Sequence, residues 1–321
     1  MTNSSSTSAS VSPGRRSFAS VAEDWLALVA PTISTTTLAE YRRALDRYFL
    51  PTYGRKPIAS IQYEEFALFV ARLPPMAGKT FNNIMIPARG VFEYAFRTRK
   101  VKQDITTHIL WRKHQAPGPD PLEVDEVMTV LDHLAAAYHP VWRNYFEVAF
   151  FTGLRPSEMI ATRWPSVDFR REQLRVSAAR VRATDKDTKT HAIRHVDLQT
   201  LALCALRRQR ELTESKTGLV FLNPSTGRKF ADTAAPLQVW YDALKAAGIR
   251  KRGARQTRHT YATLCLHAGM NPAYVSRQMG HANAKMFFEV YSRWIDGDAN
   301  TREKAKMDTF LTVSSTTPFP T

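Results

Sequence analysis

From Phe18 onward, apolar residues recur every three to four positions, a spacing that predicts helices. Val21, Trp25, Leu28 and Val29 fall on one face of the first. A second is predicted over residues 36–50, with Leu38, Tyr41, Leu45 and Phe49 as its buried stripe and Pro51 and Gly54 as its stop. Two more follow over 61–73 and 80–99, the latter punctuated by Pro87 and Gly90. The stretch to Trp111 therefore reads as an all-helical domain, covering 18–112. Pro117, Gly118, Pro119 and Pro121 suit a stiff linker at 113–122, where the domain boundary is placed.

Beyond the linker the pattern changes. Helices are predicted over 124–137 and 142–151, and Leu174, Val176, Val181, Val196 and Leu198 then mark β-strands. Residues 185–189 (Asp-Lys-Asp-Thr-Lys) read as a polar turn between strands. Further helices are expected over 200–212, 234–247, 257–268, 272–279 and 285–295, with Asn271 as N-cap and Pro272 in the first turn of the fourth. The expected fold is mainly α with a small antiparallel sheet: an all-helical domain followed by an α+β domain at 123–300. Residues 1–17 are rich in Ser and Thr and read as a disordered leader, and 301–321 as a C-terminal tail.

Charge narrows the partner. The formal net charge is +16. Residues 1–112 carry 15 Lys+Arg against 8 Asp+Glu, and residues 113–321 carry 30 against 21, so the excess belongs to both halves. A field of one sign over a whole protein attracts a polyanion, DNA above all. The two cysteines, Cys204 and Cys265, are flanked by apolar residues and read as core thiols of a cytosolic protein. No apolar run approaches a membrane span of about 20 residues, and no secretion signal precedes Phe18. Zinc-type Cys/His spacing and two-metal carboxylate sets are both absent, so no metal or cofactor is expected. Gly78-Lys79-Thr80 lacks the first glycine of a phosphate-binding loop and reads as a loop contact.

Chemistry concentrates in the second domain. Arg155 lies in Thr152-Gly153-Leu154-Arg155-Pro156-Ser157-Glu158, directly after a very apolar helix, an unusual place for an incidental charge. Arg258 opens Arg258-His259-Thr260-Tyr261-Ala262-Thr263. His281 closes Met279-Gly280-His281, and Tyr291 follows in Val290-Tyr291-Ser292-Arg293-Trp294. Two arginines from separate segments can hold both non-bridging oxygens of a phosphate, and a tyrosine can store a phosphodiester as a covalent ester. Glu158, on the same helical turn as Arg155, is placed to hold its guanidinium.

These segments, in this order, resemble the tyrosine recombinases, the family of phage-type integrases, and the resemblance covers nearly the whole chain. It implies a helical, SAM-like core-binding domain that clamps DNA, followed by the catalytic domain. It also implies the roles. Tyr291 is the nucleophile, forming a 3′-phosphotyrosyl link and freeing a 5′-hydroxyl, with Arg155, Arg258 and His281 on the scissile phosphate. Lys189, on a hairpin turn, protonates the leaving 5′-hydroxyl, with Lys186 as its rival. Double-stranded DNA is the partner, four protomers act on two sites, and the tail is exchanged between protomers or else frays. Accessory DNA-bending or excision factors belong to the same picture, as does a place at the nucleoid of a bacterial or phage-infected cell. Arg42, Arg43, Arg47, Lys79, Arg97, Arg99 and Lys100 are the candidate backbone contacts.

One position departs from the family, which writes its second arginine box as His-x-x-Arg. Here Arg255 stands where that histidine would be, leaving the general base unassigned. His259 compensates only if its side chain turns inward. Two rival readings remain: a monomeric type IB topoisomerase, and a decayed recombinase that binds DNA without cutting it.

Overall fold

The computed structural model describes residues 16–115, 117–181, 184–187, 193–214, 218–281, 284–294 and 304–310. The chain divides into two compact units, Met1–Pro117 and Gly118–Thr321. Among the described residues no helix is long and apolar enough to cross a membrane.

The first unit is helical. Helix α1 (Phe18–Val29) is capped by Ser17, whose hydroxyl accepts from the Ser20 amide, and it buries Phe18, Val21, Ala22, Trp25 and Leu26. Leu28, expected on that face, is 59% exposed, because the buried stripe runs through Ala22 and Leu26 instead. α2 (Thr35–Ala44) does not stop at Pro51. It widens into a π-turn over Leu45–Phe49, where the Leu50 amide bonds back to Leu45, and continues as α3 (Leu50–Tyr53). A five-residue spacing shifts the backbone register, so the proline enters without displacing a regular bond.

After α4 (Tyr63–Ala71) comes α5 (Gly78–Arg97), which carries Pro87 inside it. Gly78, Lys79 and Thr80 form its first turn and are not a loop. Gly90 lets α5 approach α1 closely, since a Cβ there would lie 2.2 Å from the Trp25 ring. The segment after α5 folds back along it: Asn82 exchanges hydrogen bonds with the Arg112 backbone, and Arg112 lies over the Phe81 ring at 3.8 Å.

The second unit is built around α7 (Pro140–Thr152), which is buried on almost every side between α6 (Val124–Ala137), α9 (Thr200–Thr213) and α11 (Gln256–His267). Its core faces carry Trp142, Tyr145, Phe146 and Phe150, each a large side chain worth roughly 2–3 kcal/mol on burial. Even its polar residues are enclosed: Arg208 of α9 donates to Asn144 and to buried Glu147. α8 (Pro156–Met159) follows at once.

Strands β1 (Val167–Asp168), β2 (Gln173–Val176) and β5 (Arg194–Asp197) form an antiparallel sheet in the order β1-β2-β5, pairing Leu174 with Val196 and Val176 with Arg194. β3 (Ala178–Val181) and β4 (Thr184–Asp187) make a separate hairpin. Residues 185–187, expected in a turn, are paired strand, and residues 188 and 189 of that turn lie outside the described residues. The remaining helices are α10 (Ala234–Ala246), α12 (Pro272–Met279) and α13 (Ala284–Tyr291), the last running into a 3₁₀ turn at Ser292–Trp294. Residues 304–310 are helical and exposed. The mainly helical fold with a small antiparallel sheet is the one the residue pattern predicts.

Candidate active site

The site begins where the most buried helix ends. α7 closes at Gly153, whose φ of +63° is left-handed and whose added Cβ would meet the Tyr261 ring at 2.4 Å. Glycine is required there on both counts. The chain then turns through Leu154 to extended Arg155, the N-cap of α8. Glu158 accepts the Arg155 amide at 2.9 Å and its Nη1 at 2.9 Å, and Arg155 Nη2 reaches the Gly280 carbonyl at 3.5 Å. The Arg155 side chain is 42% exposed while Glu158 is 2% exposed, so the acid is an internal anchor and the guanidinium faces outward.

Glu158 holds a second arginine that the sequence reading did not single out. Arg194 on β5 donates Nη1 and Nη2 to the two carboxylate oxygens and Nε to the Gln278 carbonyl at 3.0 Å. Burial works to raise the Glu158 carboxyl, but the Arg194 hydrogen bonds and both arginine charges outweigh it and hold the acid below its ordinary value. The clue lay in strand parity. Arg194 shares a face with buried Val196, which makes it an arginine pointing inward.

α11 supplies the next pair. Arg258 is 6% exposed and donates to the Gly153 carbonyl at 2.6 Å and the Met279 carbonyl at 2.7 Å. Both acceptors lie at helix C-termini, where unpaired carbonyls and the helix dipole favour a cation. Burial and then the Arg155 charge lower the Arg258 guanidinium to about 9, leaving it charged at neutral pH with donors to spare. His259, the next residue, turns inward: its Nδ1 lies 2.6 Å from the Tyr291 hydroxyl. Burial and then the charges of Arg255 and Arg258 push its imidazole down to about 4. Arg255 itself is exposed at the N-cap of α11.

α12 starts at Asn271, whose side chain caps the Ala273 and Tyr274 amides, and ends at left-handed Gly280 (φ +67°). His281 follows, its Nδ1 buried and without a partner among the described residues. Burial, then Arg258 and Arg155, lower it to about 4. Tyr291, at the end of α13, is 1% exposed between Phe287 and Trp294, with ring centroids at 4.8 and 6.0 Å. Burial raises its phenol to about 12, against the pull of Arg258 and Arg255.

The structure therefore gathers Arg155, Arg258, His281 and Tyr291 with Glu158, Arg194 and His259. Lys189 lies outside the described residues. The basic residues of the first unit are more scattered. Arg97, Arg99 and Lys100 border one groove of about 1150 Å³, together with Lys102. Lys79, at the opposite end of α5, stands about 27 Å from Arg97 at helical rise. Arg42 is paired with Glu23 at 2.6 Å, and Arg47 lies over the Tyr48 ring. Arg43 is exposed.

Comparison with known proteins gives one family. The profile described as "Phage integrase family" matches residues 121–296, and "Phage integrase central domain" matches 18–113. Among curated relatives, "Putative defective protein IntQ" of Escherichia coli K12 is 29% identical, covering 88% of this chain and 80% of that one. "Prophage integrase IntR" of the same organism is 26% identical, covering 92% and 80%. Among solved structures, the Tn1549 transposon integrase in complex with a circular intermediate DNA superposes at a TM-score of 0.71 with 18% identity, covering 90% of this chain and 99% of that one. A lambda integrase tetramer bound to a Holliday junction superposes at 0.69 with 16% identity, covering 85% and 80%.

Proposed function

The chain belongs to the phage integrase family of tyrosine recombinases, and from that membership we propose that it integrates or excises a mobile element, with Tyr291 as the residue that cuts DNA. The Tyr291 hydroxyl attacks a phosphodiester, the bond to the 5′-oxygen breaks, and the protein is left joined to the 3′-phosphate. The freed 5′-hydroxyl of a partner strand reverses the step and releases the tyrosine. A phenol leaves more readily than a sugar hydroxyl, so the ester stores the bond for rejoining.

One observation carries this reading. Arg155 and Arg258, from separate segments, both donate into the Met279–Gly280 turn that leads to His281, and Arg258 is adjacent to the histidine that touches Tyr291. Two guanidinium groups and an imidazole thus converge beside a buried phenol. Charge developing on the non-bridging oxygens would meet donors already fixed by Glu158 and by two helix ends, with little reorganisation needed. Lys189 takes the role of acid to the 5′-oxygen by its place in the motif order.

Exchange of two duplexes needs two cuts in each, so four protomers act on two sites. The lambda integrase tetramer on a Holliday junction, a structure of the same fold, is consistent with that number. Accessory DNA-bending or excision factors belong to the same reading, which places the reaction in the cytoplasm of a bacterial or phage-infected cell. The basic groove at Arg97, Arg99 and Lys100 contacts DNA backbone.

The test is a nicked suicide duplex built from the DNA flanking the gene, incubated with wild-type protein and Tyr291→Phe in EDTA. A covalent adduct with wild type, lost in the variant, supports the assignment. Tight sequence-specific binding without any adduct would instead make the chain a decayed recombinase.

A further inference from the structure

We propose that His259 is the group that takes the proton from Tyr291 as the tyrosine attacks, while Arg255, at the family's histidine position, acts only through its charge. The proposal rests on Tyr291 being the nucleophile and concerns how that nucleophile is activated.

Geometry comes first. His259 Nδ1 lies 2.6 Å from the Tyr291 oxygen, the atom that reacts, and no other side chain is recorded as hydrogen-bonding that oxygen among the described residues. If the phenol donates, Nδ1 is the accepting nitrogen and the imidazole carries its proton on Nε2. The residue is held in place, since it sits in the first turns of α11 directly after Arg258, which is pinned to two helix ends. Arg255 offers only donors, since a guanidinium has no acceptor nitrogen for the phenol proton. Its charge does favour the phenolate, and it also disfavours a charged His259. Donation and acceptance, which a single histidine can combine, are here divided between two residues one helical turn apart.

The charged and titratable groups facing His259 are Arg255 and Arg258 on its own helix, Tyr291 on α13 and His281 beyond α12. Burial and these arginines keep the imidazole neutral, hence able to accept, across the neutral range. The same burial keeps the phenol protonated until attack begins. A phosphodiester seated on Arg155 and Arg258 brings a negative charge that offsets the arginine field and strengthens the imidazole as a base at that moment. The step balances. The Tyr291 O–H bond breaks and its proton moves to Nδ1, the Tyr291 O–P bond forms, and the P–O5′ bond breaks with its electron pair on the 5′-oxygen, which takes a proton from Lys189, the acid proposed above. On rejoining, the departing phenolate recovers the proton from the same nitrogen.

The experiment follows single-turnover cleavage of the suicide duplex against pH, with wild type, His259→Asn, His259→Gln and Tyr291→Phe. Each protein is also checked for thermal midpoint and DNA binding. A second duplex carries sulfur in place of the scissile 5′-oxygen, a leaving group that needs no proton. The expected result is about a 100-fold loss at neutral pH in both His259 variants with binding intact. Their rates should climb with pH as hydroxide replaces the imidazole, and sulfur substitution should not restore them. Wild-type rates and pH profiles in both variants would overturn the proposal, and so would full rescue by sulfur, which would put His259 on the leaving-group side. An adduct that persists in Tyr291→Phe is a different failure: it removes the nucleophile assignment itself, and His259 with it.

Discussion

Arg194 grips both oxygens of the buried Glu158 carboxylate, at 3.1 and 2.7 Å, and so sets the anchor on which Arg155 turns. Arg194→Met should therefore do two things. It should lower stability by about 3 kcal/mol, the usual cost of leaving a buried charge short of a partner. It should also slow cleavage, although Arg194 is itself only 11% exposed. Urea melts and suicide-substrate rates on the same preparation check both; an unchanged melt would show that Glu158 does not depend on Arg194.

Two left-handed glycines flank the site, and their alanine variants should fail differently. At Gly153 the new Cβ meets the Tyr261 ring at 2.4 Å, a wall inside the core. Gly153→Ala should cost about 2–3 kcal/mol of stability. At Gly280 the obstacle is the Arg194 side chain, with Cδ at 2.8 Å and Nε at 3.0 Å. A side chain can retreat where a packed ring cannot, but here retreat means leaving Glu158. Gly280→Ala should consequently melt lower by about as much as Arg194→Met and slow cleavage with it, both through the loosened Glu158 anchor, as melts and suicide-substrate rates of the two variants side by side would show.

Acid should weaken the second unit through His259 and His281. Both imidazoles fall from an ordinary 6.5 to about 4 in the folded protein. Between those values the unfolded chain binds more protons than the folded one, so stability is full above about 6.5 and declines as pH drops toward 4. The depressed Glu158 carboxyl adds a loss in the same direction at lower pH. Thermal midpoints of wild type and of His259→Asn/His281→Asn from pH 7.5 to 4.5 test this, and the double variant should show the flatter profile below about 6.5, over roughly the lower two units of that range.

Much of this was legible in the chain, for identifiable reasons. α6 spans the residues its periodicity predicts, and the Asn271-Pro272 start of α12 is set by local capping chemistry. Arg155 was conspicuous because a charge directly follows an apolar helix. Other features depend on contacts far away in sequence. Pro51 looked like a stop, yet the π-turn at Leu45–Phe49 carries the helix through it. Leu28 satisfied the periodicity but faces outward, since the stripe has room for only one of two adjacent rows. His259 could not be assigned an orientation from spacing, because that depends on where α13 brings Tyr291. Arg194 escaped because a four-residue strand offers too few positions for its inward parity to stand out.

The two arginines proposed to hold the phosphate should also separate by substitution to lysine, because only one of them is part of the fold. Arg258 bridges the Gly153 and Met279 carbonyls with two different nitrogens. A lysine has one nitrogen and cannot span both, so Arg258→Lys would strand a buried carbonyl at a cost of about 1–3 kcal/mol and loosen α7 from α12. Arg155 is instead partly open to solvent and shares Glu158 with Arg194, which keeps the acid neutralised when Arg155 is changed. Arg155→Lys should then melt close to wild type while cleaving about 100- to 1,000-fold more slowly, as expected when a forked donor to the developing charge is replaced by a point charge. Equal losses of stability in the two variants would show that Arg155 is structural too and would overturn this division between them.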